Sequence, residues 1–376
     1  MKRSRTKPKR PASRPIFPRP FVGLPSGTAF GVVRRNTLAI WLLCIALVLI
    51  GVAGCHRNTA GASGDSSTQG LVLRLGYGKG ATFEIIRRHG HLLQRLAEKG
   101  VTVQWLQFPM GPQMMEAIGT GSLDLGSCAS TPPIFAQAAG VNFVYVAASP
   151  PGKSSGGILV PKNSPLKTVA DLKGKTVALQ PGSIWQYDLA QILLQNGLKY
   201  TDVKIAKMPP ADATAAFTSG AVDAWIQGEP YVTLAKSKLG AHFLVDCSTV
   251  GKTAGFTLGY RDTVLKHPDL IRIVLEELRN AADWTRAHPA EAAQITADTA
   301  GLDTATQTRL NRSGNGTRYL PVDAELTADQ QKQADFFYTL GVLPKKINVA
   351  DDVLTPEQYA AILPAPRARH TQDTTF

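Results

Sequence analysis

Between Leu71 and Ser149 short runs of two-residue apolar period alternate with short runs of helical period, and most helical runs close on a glycine. No other feature restricts the fold of this chain as much. LVLRLGY (71–77) reads as a strand, closed by Gly78-Lys79-Gly80. FEIIRRHGHLLQRLAEKG (83–100) reads as a helix with Ile85, Ile86, Leu92, Leu93 and Leu96 on one face. VTVQWLQF, SLDLGS and NFVYVAAS read as further strands, with the helices PQMMEAIGTG and PPIFAQAAG between them. Strands and helices joined by short loops are the pattern of a parallel-rich α/β sheet.

PPGKSSGG (150–157) breaks the alternation with turn formers, and then a second block starts. GILVPK, KTVALQ, VKIAKM, VDAWIQ and HFLVD are its strands; SPLKTVADLKG, PGSIWQYDLAQILLQNG, ADATAAFTSG and EPYVTLAKSKLG its helices. From Pro268 the chain is mostly helical. The blocks echo one another: AIGTGSLDL (117–125) against AFTSGAVDA (216–224), each a helix end, a glycine turn and a strand with an aspartate at the same offset. LRLGYGKGAT (73–82) stands likewise against VALQPGSI (177–184). Two α/β lobes of like design are expected, with a ligand meeting the carboxyl ends of strands from both.

The net charge of +13 does not point to nucleic acid, because residues 1–37 carry ten basic residues and no acidic one. The remainder holds 31 basic against 28 acidic residues and is nearly balanced. Arg34-Arg35 precede an apolar run from Leu38 to Ala53, a length that suits a signal peptide and is short for a membrane span. Val52-Ala53-Gly54-Cys55 resembles the lipobox of bacterial lipoproteins, which implies cleavage before Cys55 and lipidation of its thiol; an uncleaved anchor is the alternative. Residues 56–70 are small and polar and read as a tether. Cys128 and Cys247 are left in the body, without a CxxC or Cys/His spacing that would suggest a metal.

The stretch SCASTPP (127–133) stops a strand, sheds side-chain bulk and starts a helix. Pro132 and Pro133 suit a first helical turn, and Ser130 or Thr131 is the expected cap. A helix N-terminus offers unbonded N–H groups and about half a positive charge, which makes it an anion site. GSIWQYD (182–188) repeats the device with Gly182 as turn and Ser183 as cap; GYGKGAT (76–82) adds Lys79 and a third helix start. VDAWIQGEPY (222–231) brings Trp225, Gln227 and Glu229 to a strand end. Trp225 is either core filler or a cleft wall, and Glu229 either faces the pocket or caps the next helix. For catalysis no residue is nominated: none of the seven histidines sits at a strand–glycine–helix junction, and G-x-S-x-G, HExxH and P-loop motifs are lacking.

The runs FPMGPQMMEAIGTGSLDLGSCASTPPIFAQAAGVNFVYVAASPP, ILVPKNSPLKTVADLKGKTVAL and FTSGAVDAWIQGEPY resemble the aliphatic sulfonate-binding proteins, receptors of ABC importers related to taurine- and nitrate-binding proteins. The resemblance covers residues 71–350, including LGVLPKKINV (340–349). It implies an α/β, periplasmic-binding-protein-like type II fold, two lobes with a hinge and a ligand cleft. It also implies a small anionic, sulfonate-like ligand, no cofactor, no metal and no catalysis. The implied partners are an ABC permease with its cytoplasmic ATPase and, through a lipid anchor, the membrane; a monomer outside the cytoplasm is expected. The chain departs from the family pattern at Cys128-Ala129-Ser130, at Ser183-Ile184-Trp185-Gln186 and at Glu229, changes that make the pocket more apolar and less suited to an amine.

The expected organisation is a leader (1–54), a tether (55–70), a first lobe (71–153 plus 252–350), a second lobe (154–251) and a C-terminal tail (351–376). Contacts are expected from Lys79, Gly80 and Ala81; Ser127, Cys128 and Ser130; Gln180, Gly182, Ser183 and Trp185; and Trp225, Gln227 and Glu229. The alternatives are a receptor for taurine, nitrate or a sulfate ester, a sensory receptor, and a precursor-biosynthesis enzyme on the same fold.

Overall fold

The computed structural model describes residues 68–79, 81–313 and 319–365, all within one compact unit, Gly64–Phe376. The leader, Cys55, most of the tether, Gly80 and the last eleven residues lie outside the described residues.

Two five-stranded sheets form. The first contains β1 (Val72–Tyr77), β2 (Thr102–Gln107), β3 (Leu125–Ala129), β4 (Phe143–Ala148) and β10 (Gly255–Tyr260), in the order β2-β1-β3-β10-β4. The second contains β5 (Gly157–Val160), β6 (Thr176–Leu179), β7 (Lys204–Lys207), β8 (Ala224–Gln227) and β9 (His242–Asp246), in the order β7-β6-β8-β5-β9. In each sheet three strands pair in parallel, one antiparallel strand is inserted beside the third of them, and the fifth strand pairs antiparallel with the insert. The inserted strand is in each case the one that enters from the other lobe: β5 after the first crossing and β10 after the second. Sequence alternation missed β10, because nothing in GFTLGY separates it from a helix-side linker.

The helices of the first lobe that matter for the site are α1 (Thr82–His89), α2 (Leu92–Ala97), α3 (Gly111–Gly119) and α4 (Thr131–Ala138). α1 and α2 replace the single helix expected over 83–100, since Gly90 adopts an extended conformation between them. In the second lobe follow α5 (Ile184–Gln195), α6 (Pro210–Ser219) and α7 (Tyr231–Leu239). The helix expected over 164–174 shrinks to a 3-10 turn, Val169–Leu172, held by a capping box between Thr168 and Asp171. Beyond β10 come α8 (Arg261–Lys266), α9 (Pro268–Ala287), α10 (Pro289–Ala300), α11 (Thr304–Ser313), α12 (Ala324–Thr339) and α13 (Pro356–Ile362).

The first lobe's core is built on the buried strand β4, α9 and α12. Buried Gln330 of α12 donates to the Ser130 carbonyl at 2.6 Å and to the Tyr145 hydroxyl at 3.2 Å, and Gln333 donates to Thr131 Oγ1 at 2.7 Å. Residues past 350 share this core: Tyr359 and Ile362 are buried, and the Tyr359 hydroxyl donates to the Tyr145 carbonyl at 2.7 Å. The two chain crossings between the lobes pair with each other through Gly152 and Thr253, whose amides and carbonyls exchange bonds of 2.9 and 3.0 Å.

Candidate functional site

Parallel strands deliver their carboxyl ends to one edge of each sheet, and in this chain both edges border one cavity of about 210 Å³. The turn after β1 contributes Lys79, the turn after β2 contributes Phe108 to Gly111, and β3 contributes Ser127 and Cys128. From the second lobe come Ser183, Ile184 and Trp185 after β6, and Gln227 and Glu229 after β8. A second cavity of about 370 Å³ lies in the first lobe and shares Gly78, Ser127, Cys128 and Ala129 with the cleft. The N-terminus of α1, starting at Ala81, forms part of its wall.

Seven of the expected contacts therefore line the cleft: Lys79, Ser127, Cys128, Ser183, Trp185, Gln227 and Glu229. Ala81 lines the adjoining cavity, and Gly80 is outside the described residues. Four lie elsewhere. Trp225 is buried in the second lobe's core with Phe217 and Tyr231 at centroid distances of 5.9 and 6.0 Å, so it is packing and not a cleft wall. Gln227 lies two places on, on the same face of the strand, and reaches the cleft because it stands at the strand's carboxyl end.

Gly182 takes a φ of 69°, as its turn requires, but its amide donates to Gln186 Oε1 at 2.8 Å and is spent inside the loop. Gln180 reaches across to the first lobe, accepting from Gln113 Nε2 at 3.3 Å. Ser130 is buried with its carbonyl held by Gln330, and it faces a small cavity behind the cleft beside Tyr187 and Lys252.

The expected caps also fail in an informative way. Ser130 already has helical torsions (φ −65°, ψ −32°), so its hydroxyl does not reach the next turn, and Oγ has no hydrogen-bond partner among the described residues. Thr131 accepts from Gln333 instead. Pro132 and Pro133 remove two of the N–H groups that an anion would use at the start of α4. At α5 the Ser183 hydroxyl donates back to the Gln180 carbonyl at 2.6 Å, leaving the first turn uncapped by any side chain. That turn has no proline, and Ile184 and Trp185 border the cleft. The anion-seeking helix start is therefore α5, with α1 beside the adjoining cavity.

Lys79 and Glu229 are the charged residue types on the cleft wall. Glu229 takes the blander of its two sequence readings while remaining on that wall: its carboxylate accepts from the Thr233 amide at 3.1 Å and the Thr233 hydroxyl at 3.0 Å, at the start of α7. The peptide it makes with Pro230 is cis. Ser127 Oγ and Thr257 Oγ1 lie 2.9 Å apart, and Gln227 accepts from the Gly228 amide at 3.0 Å. Burial pushes the Cys128 thiol up, which keeps it neutral and a poor nucleophile. No histidine lines either cavity, and among the described residues no group of three His, Cys, Asp or Glu side chains is placed to hold a metal. The arrangement can hold a small anion at a helix start and a lysine, with apolar surface for the rest of the molecule.

Sequence reasoning missed the turn after β2 and the first turn of α3, where Phe108, Met110 and Met114 supply apolar wall. The signal was Gly111. A Cβ there would stand 2.6 Å from Pro132 Cγ and 2.8 Å from Cys128 Cβ, so α3 and α4 meet at this glycine.

Comparison with known proteins gives a consistent picture. The NMT1/THI5-like family pattern matches residues 96–292. A protein of Escherichia coli (strain K12) described as an aliphatic sulfonates-binding protein is 38% identical over 314 residues, covering 84% of this chain and 97% of its own. The alkanesulfonate-binding protein SsuA from Xanthomonas axonopodis pv. citri, solved bound to MOPS, superposes with a TM-score of 0.72 at 35% identity, over 77% of this chain and 99% of that one. The periplasmic aliphatic sulphonate binding protein SsuA from Escherichia coli gives 0.66 at 40% identity, over 75% and 97%.

Proposed function

The chain belongs to the aliphatic sulfonate-binding protein family, and from that footing we propose that it is the extracytoplasmic receptor of an ABC importer, capturing a sulfonate between its lobes. The supporting observation is the meeting of both sheets' strand ends at one cavity, where the uncapped start of α5 and Lys79 offer positive potential without a metal. We assign the second lobe to residues 154–251 and the first to 71–153 plus the segment from 252, extending past the expected limit of 350 because Tyr359 and Ile362 are buried in its core. The head group lies at Ile184 and Trp185 with Lys79 opposite, and Ser127 and Gln227 supply further donors. Closure about the paired crossings at Gly152 and Thr253 then favours the liganded state, because contacts from both lobes exist only when the cleft is shut.

In this reading the protein acts on the periplasmic side, monomeric and tethered through a lipid on Cys55, and hands its ligand to a permease served by a cytoplasmic ATPase. It binds its ligand without transforming it, a reading supported by relatives described as binding proteins. Isothermal titration with methanesulfonate, taurine, nitrate and sulfate tests the proposal. Saturable binding of a sulfonate in preference to sulfate and nitrate is expected; a flat response across the four overturns it.

A further inference from the structure

Trp185 differs from the other cleft residues in how it is seated. Gly156, at the end of the first crossing, and Gly228, after β8, bring bare backbone against its indole. A Cβ on Gly156 would lie 2.2 Å from Trp185 Cζ3, and one on Gly228 would lie 2.2 Å from Cη2 and 2.3 Å from Cζ2. The benzo ring thus fills the volume that two side chains would need, which fixes its position to within the small play of a packed contact. The same residue opens α5 and borders the cleft, so one rigid group adjoins both the helix amides and the ligand space. Across the cavity stand Phe108, Met110 and Met114, and Tyr231 closes the wall near Glu229. Both oxygens of Glu229 accept from Thr233, which ties the carboxylate to the start of α7.

We propose that Trp185 is the specificity-determining residue of the cleft, a fixed aromatic wall that selects sulfonates with a flat aryl tail over those with a small one. The inference rests on the sulfonate-receptor reading above. An aryl ring laid against an immobile indole loses little side-chain entropy on binding and gains an aromatic contact, an advantage that a methyl tail cannot collect.

The test is isothermal titration of detergent-solubilised full-length protein with methanesulfonate, benzenesulfonate and taurine, for wild type, Trp185→Ala, Trp185→Phe and Gly228→Ala. The wild type is expected to prefer benzenesulfonate to methanesulfonate by about tenfold, the scale of one good aromatic contact. Trp185→Ala should bring that ratio to within about twofold, and Trp185→Phe should keep most of it. Gly228→Ala, which evicts the ring without deleting it, should lower the ratio as well, and serves where Trp185→Ala does not fold. Benzenesulfonate should also change the tryptophan emission of wild type but not of Trp185→Phe. Measurable methanesulfonate binding with a ratio near one, or a ratio that survives Trp185→Ala, overturns this proposal alone. Failure of every sulfonate to bind wild type removes the receptor reading and this proposal with it.

Discussion

Asp124 and Arg74 are joined three times: the Arg74 amide donates to Asp124 Oδ2 at 2.8 Å, the Asp124 amide returns to the Arg74 carbonyl at 2.9 Å, and Arg74 Nε closes on the same oxygen at 2.9 Å. In the second lobe Asp223 and Thr176 repeat the two backbone bonds at 2.8 and 2.9 Å. Each aspartate locks the first residues of its third parallel strand to the first strand of its sheet, the same joint built twice.

The two joints differ in burial, and that sets a first prediction. Asp124 is 3% exposed and also accepts from Thr263 Oγ1 at 2.8 Å, whereas Asp223 is exposed. Asp124→Ala leaves the Arg74 amide, the part-exposed Arg74 guanidinium and the Thr263 hydroxyl without their buried acceptor and should cost about 2 kcal/mol; Asp223→Ala should cost about 1 kcal/mol or less. Urea unfolding midpoints of the two variants check the ordering, and equal losses would contradict it.

A second prediction concerns Asp188 of α5. Burial raises its carboxyl to about 7, against the opposing hydrogen bonds from Ser154 and Cys247. Ser154 Oγ donates to it at 2.7 Å from the first crossing. In the unfolded chain the group ionises near its ordinary value of 3.8, so over the interval from there to about 7 the unfolded state has lost a proton that the folded state keeps. Its contribution to stability is therefore complete below 3.8 and disappears as pH rises to about 7. Asp188→Asn should gain on wild type across that window, on the order of 4 kcal/mol in total, and the difference should level off above it. Melting curves of both proteins between pH 4 and 8 supply the measurement; a constant difference across the range is the contrary outcome.

Cleft charge gives a third. Lys79→Met should weaken methanesulfonate binding roughly five- to tenfold, and Glu229→Gln, which keeps an acceptor for Thr233 while removing a like charge, should strengthen it about two- to fivefold. Both effects should shrink in 0.5 M salt, where the screening length falls to about 4 Å. Titrations at low and high ionic strength decide, and changes of equal sign for the two variants would be incompatible with a charge effect.

A fourth prediction tests the meeting of α3 and α4. Gly111→Ala places a methyl within 3 Å of both Pro132 and Cys128, and neither neighbour is a flexible side-chain end. A loss of about 1–3 kcal/mol is expected, together with weaker ligand binding as the wall formed by Met110 and Met114 shifts. Thermal unfolding and titration of the same variant measure the two effects. Wild-type stability with wild-type affinity would show that the helices give way without cost.

Much of this molecule was legible from local pattern. The alternation of periods fixed the order of nearly every strand and helix, the glycine-rich break at 150–157 marked the first crossing, and the matched aspartates of AIGTGSLDL and AFTSGAVDA announced the repeated joint. These features depend on backbone preference and on which face of a segment is apolar, and both are written in neighbouring residues. What the local sequence did not contain was the direction in which each turn spends its polar groups. The Gly182 amide was consumed by a glutamine one helical turn on, Ser130 and Thr131 were claimed by glutamines some 200 residues away, and Trp225 was turned into the core while Trp185 was left on the cleft. For Ser130 and Thr131 the choice is made by partners that only the packing of α12 brings within 3 Å. A strand end thus tells where a binding edge will be, and the tertiary structure alone decides which of its amides and rings remain for a ligand.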